Sequence, residues 1–164
     1  DLDATLGPAR AGLWAMEALR IGSGVPRIFA DTDDRTIPNE LADPDHDRLG
    51  PAVHLRKGCY PGQETVSRVY NLGRPPRRLT LLHLDGSDDR LPQVGTDVLL
   101  EGRPVGRMGT AERHYELGPI GLALLKRSVP TDAVLAVDGV AAAQEILVSP
   151  DAGLHWRPTP GLGR

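Results

Sequence analysis

The feature that most constrains this chain is a change of grammar at Arg77. From there to Val148 the sequence breaks into six short apolar runs: Leu79–Leu84, Val98–Leu100, Val105–Met108, Ile120–Leu125, Val134–Val137 and Ile146–Val148. Asp85-Gly86, Gly102, Gly118-Pro119 and Asp138-Gly139 stand between them. Runs too short for helices, punctuated by residues that tolerate a left-handed backbone, predict antiparallel strands joined by tight turns. At these spacings such strands form a small barrel or sandwich, so residues 77–148 read as an all-β module.

The stretch before it follows a different pattern. From Ala9 to Ile21 the only polar positions after Arg10 are Glu17 and Arg20, beside Leu13, Trp14, Met16, Leu19 and Ile21. Such a narrow polar stripe predicts a largely buried helix, ended by Gly22, Gly24 and Pro26. An irregular segment rich in Asp, Pro and Asn follows, from Phe29 to about Arg56. Between Asp31 and Asp47 it carries seven carboxylates against Arg35, whereas from Arg56 to Arg78 six bases face only Glu64. Within that basic stretch a second helix is predicted from Pro61 to Leu72. Val66, Val69 and Tyr70 recur at helical spacing, Glu64 and Arg68 form an i,i+4 pair, and Gly73, Pro75 and Pro76 stop the helix. Residues 1–76 thus form one portion, 77–148 the β module, and 149–164 an extended tail without periodicity.

Composition removes several classes of function. A net charge of −3 and 4% aromatic residues argue against a nucleic-acid binder. No apolar run approaches the ~20 residues of a membrane helix, which predicts a soluble protein. One cysteine excludes an internal disulfide and any zinc or iron–sulfur site built from this chain's own thiolates, and predicts a reducing, cytoplasmic setting. His46, His54, His83, His114 and His155 are not at metal-ligand spacing, so no metal site is expected. Phosphate-loop, dinucleotide-binding, zinc-protease and serine-hydrolase motifs are missing. The first residue is Asp1 and no secretory signal is present, which predicts a fragment or a processed product.

One octapeptide remains, Lys57-Gly58-Cys59-Tyr60-Pro61-Gly62-Gln63-Glu64. It sets the single thiol just ahead of a predicted helix start, where free amide donors and the neighbouring Arg56 and Lys57 favour thiolate over thiol. Two readings follow: a reactive cysteine, or a small buried hydrophobe. Gly58 and Gly62 imply a tight turn or a close approach of backbone to a ligand. Tyr60 is placed to stack on a planar ring or to pack across the turn, and Gln63 and Glu64 to bond a ligand or to cap the helix.

This octapeptide resembles the Lys-Gly-Cys-Tyr/Phe-x-Gly-Gln-Glu signature of the YgfZ family, folate-binding relatives of the glycine-cleavage T-protein that act in iron–sulfur cluster assembly and repair. The resemblance continues through Leu19-Arg20-Ile21 with Gly24 and Pro26, Pro38-Asn39-Glu40, Thr65-Val66-Ser67-Arg68 and Arg78-Leu79, covering roughly Leu13 to Val148. It implies the end of an α+β, aminomethyltransferase-like folate-binding fold, followed by a small antiparallel barrel. It also implies tetrahydrofolate as cofactor, in a site left incomplete without an N-terminal half of the same protein. Iron–sulfur assembly proteins or client enzymes are the implied partners. Carried over residue by residue, it makes Cys59 and Lys57 the reactive pair and sets Gly58, Tyr60, Gly62, Gln63, Glu64 and Arg68 along the ligand channel. Arg20 and Glu40 become cofactor-binding residues, and the basic stretch either attracts folate's polyglutamate tail or an acidic partner, or pairs internally with the acidic stretch. The aminomethyltransferase branch carries a glutamate where this chain has Gly22 and lacks the cysteine signature, which favours an assembly factor over a one-carbon transferase. A non-catalytic barrel module with a structural Cys59 is the third reading.

Overall fold

A computed structural model describes residues 11–42, 58–72, 74–87 and 90–151. Three helices precede the strands: α1 (Leu13–Gly22), α2 (Pro38–Leu41) and α3 (Gln63–Leu72). Six strands follow: β1 (Arg77–Leu84), β2 (Asp97–Leu100), β3 (Arg103–His114), β4 (Gly118–Lys126), β5 (Leu135–Val137) and β6 (Val140–Ile146). They close into a barrel in the order β1-β4-β3-β2-β5-β6, every pairing antiparallel, with β6 returning to β1. The expected small antiparallel barrel is therefore present, and closure leaves its sheet without an open edge.

The turn residues explain the hairpins. Glu101-Gly102 and Asp138-Gly139 both take positive φ at consecutive positions, the backbone of the tight turns that match strand twist. Two strands differ from expectation. The third continues beyond Met108 through the polar stretch to His114, because its pairing with β4 stabilises residues whose own pattern is not strand-like. The last lies at Val140–Ile146 rather than Ile146–Val148, because its alanine-rich sequence lacks a strong strand propensity and its partners β1 and β5 select it. Val148 is nonetheless fully buried, packed outside the barrel.

Alternation along β1 divides the core in two. Leu82 and Leu84 join Val98, Met108, Leu125 and Val137 in one cluster, the barrel interior. Leu79 and Leu81 face the other way, meeting Ile120, Leu122, Leu124 and Ile21 of α1. Burying Ile21 there contributes about 1.5–3 kcal/mol to holding α1 against the sheet.

Helix α1 forms where expected, yet it is not largely buried. Glu17, Ala18 and Ile21 are its buried residues, while Leu13, Trp14, Met16 and Leu19 are exposed. Helix α3 starts at Gln63, two residues later than predicted, because Gly62 takes a φ of 79° that a helix cannot contain. Its proposed stop at Gly73, and the tail beyond residue 151, lie outside the described residues.

Arg78 is fully buried and ties strands and loop together. Its Nη1 donates to Thr80 Oγ1 at 2.7 Å and its Nη2 to Gln144 Oε1 at 2.8 Å and to the Val129 carbonyl at 3.2 Å. Gln144 in turn donates to the carbonyls of Pro130 and Ala133. Among the described residues these partners are all neutral, so burial pushes the pKa of Arg78 below the ordinary arginine value. Replacing Arg78 by Ala removes three bonds at once and strands Gln144. The expected loss is on the order of 3 kcal/mol in urea unfolding, with the barrel's circular dichroism retained before the transition.

Candidate functional site

Two ionic clamps tie the helical portion to the barrel, and the second of them supports the segment that carries the cysteine motif. The first joins α1 to the barrel. Arg20 donates from Nε and Nη2 to Glu17 Oε2 at 3.0 and 2.8 Å, from Nη1 to Asp31 Oδ2 at 3.1 Å, and from Nη2 to Thr110 Oγ1 at 2.7 Å. Asp31 is buried, and its Oδ1 accepts the Thr110 amide and hydroxyl at 2.6 and 2.7 Å. The contact demands a glycine beside it. A Cβ on Gly109 would overlap Asp31 Oδ1 and approach the Leu122 carbonyl to 3.0 Å.

The second clamp joins β1 to the acidic segment. Arg77 donates from Nη1 and Nη2 to the two oxygens of Asp33 at 2.6 and 3.0 Å, and from Nε and Nη2 to the two oxygens of Glu40 at 2.9 Å each. One guanidinium thus holds two carboxylates with paired bonds to each, the arrangement its planar fork favours. Glu40 is fully buried and also accepts the Ile37 amide. Asp33 also accepts the Thr36 hydroxyl at 2.6 Å. The Arg77 bonds hold the Asp33 carboxyl far below the ordinary carboxylate range, and the two carboxylates, Glu40 first, raise Arg77 above the ordinary arginine value. Arg77 thus pairs across the acidic and basic stretches, whereas Arg68 pairs with Glu64 of its own stretch and Arg74 with Asp151.

Glu40 lies in α2, which packs on both β1 and α3. Arg77 therefore fixes α2, α2 supports α3, and α3 presents the motif at its start. Gly58 and Cys59 are exposed and Tyr60 is half-buried. The thiol is not the buried hydrophobe of the second reading. Tyr60 and Gly62 set the first turn, their carbonyls accepting the amides of Gln63 and Val66 at 3.2 and 3.1 Å. Glu64 and Arg68 are exposed and 3.8 Å apart, the expected i,i+4 pair. Lys57 lies outside the described residues.

Arg20 and Glu40, expected on the cofactor, are both engaged in the clamps. Asp31 and Asp33 carry a sequence signal only as members of the acidic stretch, and Thr110 carries none. A cleft of about 440 Å³ opens between the segment and the barrel, lined by Phe29, Asp33, Arg77, Arg107, Leu124 and Lys126 among others, and Cys59 is not part of its wall. Gly22 lies under the His114 ring, where a Cβ would meet the imidazole at 3.3 Å. Among the described residues no three His, Cys, Asp or Glu side chains converge as a metal site, and no helix is long and apolar enough to cross a membrane.

No family model matches the chain. Curated proteins do. The tRNA-modifying protein YgfZ of Edwardsiella ictaluri is 36% identical over 131 residues, which is 77% of this chain and 38% of that protein. That of Escherichia coli strain SMS-3-5 is 39% identical over 94 residues, 57% of this chain and 27% of its own. The chain belongs to the YgfZ family. It spans well under half the length of these YgfZ relatives.

Asp33 gives this YgfZ segment a pH dependence whose sign is fixed. Its carboxyl is depressed in the folded state, so its contribution is complete above the ordinary carboxylate range, about pH 4, and is lost as pH falls below that toward the depressed value. Asp33→Asn is expected to flatten the acid limb of a stability-against-pH curve. Arg77→Ala leaves Glu40 buried without its cation and is expected to cost about 3–5 kcal/mol, read by urea unfolding at pH 7.

Proposed function

We propose that this chain is part of a folate-binding accessory protein of iron–sulfur cluster assembly or repair, with Cys59 as its working group. The observation that carries the reading is the exposed thiol just ahead of α3, in the motif that resembles the YgfZ signature. A single thiol cannot retain a cluster, which takes about four protein ligands. Cys59 therefore acts on a cluster as substrate: a transient ligand or sulfur-reactive nucleophile, with Lys57 and the α3 amides favouring its ionised form.

Tetrahydrofolate is the proposed cofactor, and the residues present fit it only in part. Arg20 and Glu40 are saturated by Asp31, Glu17 and Arg77, so they serve as supports of a binding wall rather than as groups that grip a pterin. The pterin's own contacts then belong to the rest of the family's polypeptide, which we propose as the partner that completes an aminomethyltransferase-like channel in the cytoplasm. The packing of His114 over Gly22 favours this reading over a one-carbon transferase, because it fills the place where that branch carries its glutamate. The relatives' name points to tRNA modification. With few aromatics and a net negative charge, this chain fits a role toward an iron–sulfur enzyme that modifies tRNA better than contact with RNA itself.

Cys59→Ser is expected to leave urea unfolding unchanged within about 0.5 kcal/mol, since the side chain is exposed, while abolishing complementation of a strain lacking its YgfZ protein. Full complementation by the variant would remove Cys59 from the mechanism. Iodoacetamide labelling of Cys59, with and without a tetrahydrofolate, is expected to slow in its presence only when the rest of the family's polypeptide is there to complete the channel.

A further inference from the structure

The cleft between the Phe29–Asp33 segment and the barrel carries charge that neither clamp uses. Its wall holds three cations, Arg77, Arg107 and Lys126, against the single carboxylate of Asp33. The Arg77 fork is spent on Asp33 and Glu40. Arg107 and Lys126 are exposed, and among the described residues neither forms an ion pair. Among those residues Lys126 Nζ donates to the Pro104 carbonyl alone, at 2.9 Å, which leaves two of its protons. Arg107 lies against the turn before β2, where a Cβ on Gly95 would come within 2.8 Å of its Nη2. That turn is itself pinned to β3, the Gly95 amide donating to the Met108 carbonyl and the Met108 amide to the Thr96 carbonyl, both at 2.8 Å. In the β3–β4 register Arg107 stands opposite Leu124, and Lys126 follows on the same face of β4, so one ligand can reach both cations.

An aromatic ring shares this wall. Phe29 is 84% exposed and has a φ of 66°, which a phenylalanine rarely adopts. Bonds close the turn that imposes it: the Phe29 amide donates to Thr32 Oγ1 at 3.0 Å and the Asp31 amide to the Arg27 carbonyl at 2.9 Å. A bulky residue held in such a conformation inside a cleft wall is characteristic of a ligand-binding position. From the barrel, Val94 and Leu124 add apolar surface to the same cleft.

Three properties select the occupant. A volume of about 440 Å³ lies in the range of small-molecule sites and exceeds what an inorganic anion fills. A phosphate monoester carries about −1.5 to −2 charges at neutral pH, which matches two free cations better than the single charge of a carboxylate. An exposed phenylalanine face accepts any nucleobase by stacking. We propose that this cleft binds a free nucleoside monophosphate, its phosphate on Arg107 and Lys126 and its base against Phe29. The net charge of −3 disfavours a polynucleotide in the same place. Cys59 is not part of the cleft wall, so this site and the thiol chemistry stand or fall separately.

The test is equilibrium dialysis of the 164-residue chain against labelled adenosine monophosphate at low salt. The expected result is saturable 1:1 binding with a Kd below ~1 mM, and at least ~10-fold weaker binding of adenosine and of inorganic phosphate. Arg107→Ala and Lys126→Ala are each expected to weaken it at least ~10-fold, and Phe29→Ala at least ~5-fold, whereas Phe29→Tyr retains it. All four side chains' exposure predicts an unchanged urea midpoint in these variants. Absence of saturable binding, or binding that the three alanine variants leave intact, overturns the proposal. A trinucleotide RNA that binds more tightly than the mononucleotide overturns it in favour of a polymer end. Displacement of the nucleotide by an equal concentration of a tetrahydrofolate overturns it too, since the cleft would then belong to the cofactor.

Discussion

One guanidinium organises the approach to the cysteine motif. Arg77 opens β1, so its backbone is fixed by the barrel, and its fork takes both oxygens of Asp33 and both of Glu40. Burying Glu40 completely is tolerable only because that fork and the Ile37 amide satisfy it. Without the pair, α2 would have a charged residue facing an apolar sheet, and α3 would lose the support on which the motif is presented. The placement of Cys59 is in this sense an electrostatic property of β1, transmitted through two short packing contacts.

The first clamp solves a different problem with the same chemistry. Asp31 is buried against β3 at a point where the strand's register shifts between Met108 and Ala111, and Gly109 offers it room. Four donors converge on that carboxylate: the Arg20 guanidinium, the Thr110 amide and hydroxyl, and the Arg27 amide. Polar groups satisfied in this way set the orientation of α1, and that orientation decides which of its faces meets water.

Much of the barrel was legible because its signals are local. Asp138-Gly139 and Gly102 specify turns by their own backbone preferences, and Leu79–Leu84 is a near-continuous apolar run, as a strand buried on both sides is. What was illegible depended on partners distant in sequence. The alanine-rich β6 is a strand because β1 stands beside it, and the polar end of β3 because β4 does. The apolar residues of α1 read as a buried helix because hydrophobicity carries no record of what covers it. The exposed turn around Cys59 was legible in its glycines. The Arg77 clamp left only a reversal of charge sign and the first clamp no pattern, since Asp31 and Thr110 lie 79 positions apart and no spacing rule joins them.

Strand order also carries a consequence for how the chain is made. β1 is flanked by β4 and β6, so the strand that anchors Arg77 acquires its full set of neighbours only when residue 146 has been synthesised. The helices emerge first on a ribosome, and the strands they dock on, β3 and β4 for α1 and β1 for α2, follow over residues 77–126. Between those moments Glu17, Asp31 and Glu40 are solvated and α1 has no barrel to orient it. The docking surface of α1 is thus assembled once β4 is made, whereas β1 lacks one of its two neighbours until β6 closes the barrel.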